Sequence, residues 1–591
     1  MMEPWWERYP HRLELEEKAF LEAGMRFHYD KEARGEGRLV MRVTTSHPLQ
    51  PGEVELDVQF PRQYPYFPPT VTSEDLAFRR HQHPSANLLC LLANHGEEWR
   101  PASDTAASLI HQQLPKLARS ATSSDFSDVA ANEAHQGEPL TAFLDYENNS
   151  HVSVPPLEHD HDDTHGVLDL GVDHLLPFRG AVLRVANAKG DTVAEASDGL
   201  KNRYQRKKLQ NLRGQWVRLA NRPKSLDADQ LIKEVKAEHP GLKHSWQTLP
   251  VQKNVAGPQV KRIDVLGLVF EDELSWRKYG YNWLIIISRR YDKPLPNGGY
   301  TVSTLVRSEL ESDNLYRERI PELVTLRHKK VAVFGLGSLG SVALTELARA
   351  GIGEIHALDG DLLEAGNSVR WATGRAYAGL AKAQALSEYL CEHYPHTRFY
   401  GYQVRIGAAP VRHIERDGDG GNFNEDEILQ KMVGDADLIL DASASIPLNQ
   451  YLADMAAEQG IPYVWLSTTN GGWGGLVGRI VPEKTEGCWM CHLCGLNDQT
   501  IPLPMARPED ELVQPAGCMD PTFTGASFDI AEVSLMGVRL AVGTLCGNKD
   551  GTYPNPDWDL AIVDMRDEQG QHIPPQWRTY SLSAHHGCCG I

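Results

Sequence analysis

Hydrophobic periodicity predicts both helices and antiparallel strands in the first 145 residues. Apolar residues recur with a helical period across residues 12–29, and they alternate with polar residues across 37–45 and 52–61. A loop rich in proline and aromatic residues follows, and residues 104–121 again show a helical pattern. We therefore expect an α+β domain at 1–145, with the order helix, β meander, loop and helix.

The next region, 146–310, has a different pattern. Residues 146–166 are polar and aperiodic, which predicts a solvated linker, with a metal site in its His-Asp cluster as the alternative. Strand-like runs then alternate with a basic segment at 201–222, for which a solvated helix face is favoured over a nucleic-acid patch. These patterns predict a linker and a mixed α/β connecting domain at 146–310.

From residue 329 the pattern changes to strand, glycine loop, helix and second strand. The first strand is rich in valine, the helix is rich in alanine and leucine, and the second strand ends in acidic residues. This order predicts a Rossmann-like domain at 311–591 and an α/β class for the whole chain.

Composition and charge exclude several protein classes. The 591 residues are 41% hydrophobic and 23% charged, which is typical of a folded protein with several domains. No run has membrane-spanning length and the N-terminal residues lack a secretory pattern, so we expect a cytoplasmic protein without a membrane partner. A net charge of -20 argues against a nucleic-acid partner. The cysteines are then expected to be reduced thiols, metal ligands or nucleophiles.

The glycine loop predicts a phosphate-binding site. Gly335, Gly337 and Gly340 form a G-x-G-x-x-G motif between a strand and a helix, where backbone N–H groups can bind phosphate. Asp359 follows the second strand, where its carboxylate can accept ribose hydroxyls. These features alone fit NAD as well as ATP.

Residues beyond the second strand favour ATP over NAD. Triphosphate chemistry uses cations, and Mg²⁺ binds to carboxylates, whereas hydride transfer needs neither. The chain supplies Asn367, Arg370, Lys382 and Asp441. We therefore expect ATP and Mg²⁺ as ligands.

From about residue 317 onward, the chain resembles the ThiF/MoeB-like adenylating family, which includes the ubiquitin-activating enzymes. In that family the corresponding motifs bind ribose, triphosphate and Mg²⁺. The resemblance assigns these roles to Asp359, Asp361, Asn367, Arg370, Lys382 and Asp441. Trp371 stands where the family has a glutamine, and either Arg317 or Arg319 matches an arginine that contacts ATP. The family also implies a homodimer.

Cysteines near the C-terminus predict a structural zinc site. Cys488 and Cys491 form a C-x-x-C pair, and Cys588 and Cys589 are adjacent near the end of the sequence. Two separated thiol pairs suit tetrahedral Zn²⁺, and the adenylating family places zinc ligands in the same regions. We expect these four cysteines to bind Zn²⁺, with His585, His586 or Cys494 as alternatives that complete the set.

Cys518 is a candidate nucleophile. It lies in a loop rich in proline and glycine ahead of a long helical pattern, where a helix N-terminus favours the thiolate. A zinc ligand or a buried thiol is the alternative role. Resemblance to the activating enzymes implies that Cys518 accepts the adenylated carboxylate as a thioester.

Cys90 is the second candidate nucleophile. Residues 60–71, FPRQYPYFPPTV, and the later LCLL and WRPA segments resemble the signature of ubiquitin-conjugating enzymes, which implies that Cys90 is an acceptor thiol. The family's His-Pro-Asn motif reads His83, Pro84 and Ser85 here, so the usual oxyanion donor is absent. Asn87 or His83 is expected to replace it.

A chain that joins an activating-like domain to a conjugating-like domain resembles the two-headed conjugation enzyme of bacterial CBASS anti-phage operons. It implies that a carboxyl terminus is adenylated, passes through Cys518 and Cys90, and is joined to a lysine amine of a target protein. The implied substrate is the C-terminus of a cGAS/DncV-like nucleotidyltransferase. Another ubiquitin-like protein is the first alternative, and activation of a sulfur carrier is the second. A flexible linker at 146–166 would let the Cys90 domain travel.

Overall fold

The computed structural model divides into two compact units. The first contains residues 1–195 and 210–310, and the second contains 196–209 and 311–591. The described residues are 3–78, 80–92, 95–123, 137–158, 163–206, 210–250, 257–296, 298–311, 319–407, 425–508 and 524–588.

The first unit begins with helices around a four-stranded antiparallel sheet of order β1-β2-β3-β4. Strand β3 alternates exposed and buried residues, as its sequence pattern predicts. The predicted helices and strand pair are confirmed as elements, but the first predicted helix ends at Glu22, and residues 26–29 of the predicted helical stretch form strand β1 instead. Their bounds are α1 (Trp5–Arg8), α2 (Pro10–Glu22), β1 (Arg26–Tyr29), α3 (Lys31–Gly35), β2 (Leu39–Ser46), β3 (Glu53–Phe60), β4 (Thr70–Thr72), α4 (His95–Glu98) and α5 (Ala106–Thr122).

Buried polar contacts join helix α2 to helix α5. Glu16 is fully buried, and its carboxylate accepts hydrogen bonds from the Ala106 backbone N–H at 2.8 Å and from the Tyr64 hydroxyl. Burial is the largest influence on Glu16 and raises its pKa, although Tyr64, Ala106 and Arg12 oppose this effect. A capping box between Thr105 and Ser108 begins α5.

A ten-stranded mixed sheet follows in the same unit. Eight strands form the order β13-β12-β11-β9-β6-β7-β5-β14, while β10 pairs with β11 and β8 pairs with β7. The bounds are β5 (His151–Val154), β6 (His165–Leu175), β7 (Phe178–Asn187), β8 (Thr192–Glu195), α6 (Asp198–Arg206), β9 (Gln210–Arg218), α7 (Ala228–Glu238), β10 (Gln247–Thr248), β11 (Val260–Ser275), β12 (Lys278–Tyr291), β13 (Thr301–Val306) and β14 (Ser308–Leu310). Helix α6 belongs to the second unit.

Two predictions for this region are wrong. The expected linker at 146–166 contains strand β5, whose Val152 and Val154 side chains are fully buried between β7 and β14. The basic segment at 201–222 is only partly helical, because residues 210–218 form strand β9 inside the sheet. Pairing with strands distant in sequence overrides the local polar character.

The second unit contains an eight-stranded sheet of order β17-β16-β15-β18-β19-β20-β21-β22. Its first five strands are parallel, and the other three continue the sheet antiparallel. The bounds are β15 (Lys330–Phe334), α8 (Ser338–Arg349), β16 (Glu354–Leu358), α9 (Lys382–His393), β17 (Arg398–Tyr402), α10 (Glu425–Val433), β18 (Leu438–Asp441), α11 (Ile446–Gln459), β19 (Tyr463–Thr468), β20 (Gly474–Ile480), α12 (Trp489–Asn497), α13 (Ser527–Cys546), β21 (Leu560–Arg566) and β22 (His572–Tyr580).

Strand order places the candidate nucleotide site. The chain runs outward from β15 to β16 and β17, and then returns to β18 on the other side of β15. Ligands of open parallel sheets bind beyond the carboxyl ends of the strands where this direction reverses. The glycine loop after β15 lies at this position. Among the described residues, none of the helices has both the length and the apolar character that a membrane span requires.

Candidate functional site

The glycines of the loop have two different structural roles. Gly335 has a φ of 81°, and a Cβ there would lie 2.6 Å from the Ser443 backbone. A Cβ on Gly340 would lie 1.8 Å from the Gly335 carbonyl oxygen. Gly337, by contrast, faces open space and is the N-cap of α8, with no side-chain cap. The first N–H groups of α8 are therefore available to phosphate at Gly337.

Asp359 fixes the glycine loop to the next strand. One carboxylate oxygen accepts the Leu336 N–H at 2.6 Å, and the other accepts the Asp361 N–H at 2.8 Å. Each oxygen keeps a further lone pair that can accept a ribose hydroxyl. Sequence reasoning placed Asp359 beside the loop, and the structure brings the two together.

Lys382 provides a positive charge at the same edge of the sheet. Its Nζ lies 2.8 Å from an Asp361 oxygen and 3.7 Å from an Asp359 oxygen. Burial alone would raise the pKa of Asp361, but Lys382 and Arg405 outweigh it and lower that pKa. The Asp361 carboxylate is thus ionised and half exposed beside the glycine loop.

The segment after β16 brings Asn367, Arg370 and Trp371 together. Asn367 lies in a short 3-10 helix, and its side-chain oxygen accepts the Glu364 N–H at 3.1 Å. Burial lowers the pKa of the partly buried Arg370. The Trp371 indole N–H donates to the Leu336 carbonyl at 2.7 Å, so the tryptophan packs against the glycine loop.

Asp441 is the last residue of β18, as its sequence pattern predicts. It is fully buried, and its oxygens accept hydrogen bonds from the Ser443 N–H at 2.9 Å, the Asn449 amide at 2.6 Å and the Tyr463 hydroxyl at 2.8 Å. Burial raises its pKa. No carboxylate surface of Asp441 is exposed, and its expected role as a ligand of Mg²⁺ stays a prediction. Asp361 offers a more accessible carboxylate.

The sequence offers two upstream arginines, Arg317 and Arg319, for contact with ATP. Arg319 is exposed, and Arg317 lies outside the described residues.

Three of the four predicted zinc ligands lie together. The sulfur atoms of Cys488, Cys491 and Cys588 all lie within 4.8 Å of one another. His585 engages other groups, since its Nε2 contacts Asp498 at 2.8 Å and its Nδ1 accepts the Gly587 N–H. Cys589 lies outside the described residues. Three convergent thiols fit the softness and ligand spacing that Zn²⁺ requires.

Cys90 lies shortly after a turn at residues 84–86 and pairs with His81, which precedes that turn. Its backbone N–H donates to the His81 carbonyl at 2.8 Å, and the His83 Nδ1 accepts the Ser85 and Ala86 N–H groups at 3.2 and 3.1 Å. The Trp99 indole N–H donates to the Pro65 carbonyl at 2.7 Å, which ties the two signature segments together. Cys90 itself is exposed. Cys518 lies outside the described residues.

Sequence reasoning missed two acidic residues near Cys90. Glu138 contacts His81 Nδ1 at 2.8 Å, and Glu273 pairs with the buried Arg80. Both carboxylates come from residues beyond the region that resembles conjugating enzymes. No sequence motif marks them, because only tertiary folding brings them to His81 and Arg80.

Comparison with known proteins identifies the family. The sequence model of the family described as "ThiF family" matches residues 314–547 of this chain. The uncharacterized protein y4oA of Sinorhizobium fredii is 30% identical, with 99% of this chain and 97% of y4oA aligned. The chain belongs to the ThiF family. The predicted ThiF/MoeB-like domain is therefore confirmed in the C-terminal region.

Two further relatives match only part of this ThiF-family chain. The adenylyltransferase and sulfurtransferase UBA4 of Saccharomyces cerevisiae is 28% identical over 224 residues, which are 38% of this chain and 42% of UBA4. The chain thus aligns with less than half of UBA4. The crystal structure of E. coli MccB with ATP has 18% identity and a TM-score of 0.31, covering 45% of this chain and 67% of MccB.

Proposed function

We propose that the ThiF-family domain uses ATP to adenylate a protein C-terminal carboxylate. The observation that carries this proposal is the open, uncapped N-terminus of α8 at Gly337, which lies beside Asp359 and Lys382. A phosphate at this terminus would meet backbone N–H donors and the positive end of the helix dipole.

The adenylation step follows from this arrangement. A carboxylate oxygen of the substrate attacks the α-phosphorus of ATP, the new P–O bond forms, and pyrophosphate leaves. Lys382 and the N–H groups of α8 stabilise the charge that develops on the phosphates, while Asp359 accepts the ribose hydroxyls. Mg²⁺ would neutralise phosphate charge when bound, and Asp361 has the carboxylate that could hold it.

The acyl group then passes along two thiols in this proposal. The Cys518 thiolate attacks the acyl adenylate and releases AMP, and Cys90 takes the acyl group by thioester exchange. A lysine amine of a target protein finally attacks the Cys90 thioester. The exposed thiol of Cys90 and the turn that precedes it support this assignment.

The proposed substrate is the C-terminus of a cGAS/DncV-like nucleotidyltransferase, as the CBASS resemblance implies. Another ubiquitin-like protein would use the same chemistry. We also propose a homodimer, with Zn²⁺ held by Cys488, Cys491, Cys588 and Cys589.

Pyrophosphate exchange tests the adenylation step. The full chain is mixed with ATP, Mg²⁺, labelled pyrophosphate and a cGAS/DncV-like nucleotidyltransferase with a free C-terminus. We expect label to enter ATP, and we expect no exchange when a hexahistidine extension blocks that C-terminus. Equal exchange with the free and the blocked protein would contradict adenylation of that carboxylate.

Activation of a sulfur carrier is the second candidate function. The similarity to UBA4, whose name includes sulfurtransferase, favours it. In that case Cys90 would be dispensable, because the N-terminal region would only bind a partner. Normal product formation by the Cys90→Ala variant would support this function over conjugation.

A further inference from the structure

A histidine and a glutamate form a dyad beside Cys90. His81 Nδ1 lies 2.8 Å from a Glu138 oxygen, and the His81 backbone N–H donates to the same carboxylate at 2.9 Å. The side chains are only 12% and 13% exposed, so this contact is shielded from water. His81 adopts a φ of 61°, a left-handed conformation that is strained for a non-glycine residue.

His81 connects this dyad to the thiol residue directly. The His81 carbonyl accepts the Cys90 N–H at 2.8 Å, while the other side of the same residue holds Glu138. One residue therefore fixes the positions of both the thiol and the carboxylate. Strained backbone that is held in this way is typical of functional sites.

The charged groups around the dyad keep Glu138 ionised. Burial alone would raise its pKa, but His81 and Arg80 outweigh burial and lower it. Glu273 lies behind the dyad, accepting the Glu138 N–H at 3.3 Å and pairing with Arg80. Protein atoms packed around the Cys90 thiol and the Glu138 charge both raise the pKa of that thiol.

An ionised carboxylate beside a nucleophilic thiol does not favour the thiolate. Activating that thiol would call for a positive neighbour, as in reactive cysteines at cationic sites. A carboxylate in this position instead attracts an incoming ammonium group, and the imidazole that it holds can accept a proton from that group. The dyad therefore fits the amine step better than the loading step.

We propose that the His81–Glu138 dyad is the base for the amine that attacks the Cys90 thioester. The inference rests on the proposed function of Cys90. The amine nitrogen forms a bond to the thioester carbonyl carbon, the C–S bond breaks, and Cys90 leaves as a thiolate. The amine proton passes to Nε2 of the neutral His81 imidazole, and the Glu138 carboxylate, which accepts the Nδ1–H, balances the positive charge that forms.

The test follows acyl transfer from Cys90 to free lysine in the full chain with Cys518→Ser. Cys90 is loaded by exchange with a benzoyl-Gly-Gly thioester of 2-mercaptoethanesulfonate, and peptide mass spectrometry follows its discharge. For Glu138→Gln we expect about 10²-fold slower discharge. We also expect alkylation of unloaded Cys90 by iodoacetamide to rise at least about twofold, because a nearby negative charge is removed.

Slower discharge together with faster alkylation distinguishes a residue that acts in proton transfer from one that only supports the structure. The matched control is Glu97→Gln, which removes an exposed carboxylate close in sequence to Cys90 and should change neither rate. Wild-type discharge by Glu138→Gln, or a parallel loss of discharge and alkylation, would overturn the assignment. If that variant fails to fold, Glu138→Asp should discharge within about tenfold of wild type, and a greater loss in folded protein would overturn it. A Cys90 that takes no acyl group would instead refute the proposed function itself.

Discussion

Lys382 carries the positive charge closest to the two aspartates at the glycine loop. It is the first residue of α9, and both its ion pairs are to Asp361 and Asp359. A nucleotide bound at α8 would give Lys382 a stronger partner, since phosphate carries more charge than a single carboxylate. In the proposed function, Lys382 would therefore exchange its aspartate partners for the phosphates of ATP.

Replacing Lys382 with alanine should slow pyrophosphate exchange by about 10²-fold, because the transition state loses one charged donor. Exchange rates at saturating ATP measure this effect. Lys329→Ala is the control, since Lys329 directly precedes β15, at the amino end of the parallel strands, and pairs with Asp437 at 2.7 Å. An equal loss of pyrophosphate exchange in both variants would contradict this role, because it would mean that a general loss of charge or stability slows the reaction.

Residue types at the strand ends could be predicted from the sequence, but their exposure could not. Motif spacing placed Gly335 and Asp359 correctly because it reflects a fixed strand, loop and helix order. Asp441 also follows a strand, yet it is buried by Asn449 from α11 and Tyr463 from β19. Nothing within the local sequence of Asp441 reveals these partners.

At the scale of elements, helix α12 and the C-terminal segment meet at the cysteine cluster. Cys488 lies just before α12, and its sulfur atom is 3.4 Å from that of Cys588. The loop closed by this contact includes α12, α13 and both final strands. A bound metal would therefore hold together much of the antiparallel half of the sheet.

Cys488→Ser should reduce zinc content from about one equivalent per chain to less than half, because thiolate ligands supply most of the binding free energy. Plasma mass spectrometry measures the metal, and a lower melting temperature should accompany the loss. Cys391→Ser is the control, since Cys391 lies in α9 outside the cluster. Unchanged zinc in Cys488→Ser would contradict the site.

Elements formed by distant pairing were the hardest to predict. The short strand β5 has only two valines among polar neighbours, and its partners β7 and β14 lie far along the chain. In contrast, β15 and α8 follow from local periodicity alone. The local pattern thus predicts elements that form within a βαβ unit. Strands that pair only with segments distant in sequence cannot be predicted until the tertiary fold is known.

At the scale of the whole molecule, the Cys90 region is anchored within the first unit. Arg80, ten residues before Cys90, forms a buried ion pair with Glu273 near the end of β11. Glu273 also accepts the Glu138 and Arg277 backbone N–H groups. These contacts contradict a Cys90 domain that travels on a flexible linker, and the proposed transfer must work from an anchored thiol.

Glu273→Gln should destabilise this anchor by about 3–5 kcal/mol, because it removes the negative charge that pairs with the buried Arg80. Hydrogen exchange read by mass spectrometry should then become faster in peptides from 80–92 and 137–144. Glu271→Gln, an exposed carboxylate on the same strand, should leave exchange unchanged. Equal protection in both variants would show that the anchor contributes little.

The central claim is that the acyl group activated by the ThiF-family domain reaches Cys90. The most direct measurement incubates the full chain with ATP, Mg²⁺ and a labelled carboxyl-terminal substrate, and then compares non-reducing with reducing gels. We predict a thiol-sensitive adduct that maps to Cys90, with Cys90→Ala still forming AMP but leaving the label no further than Cys518. Full transfer to the lysine target by Cys90→Ala would contradict the account.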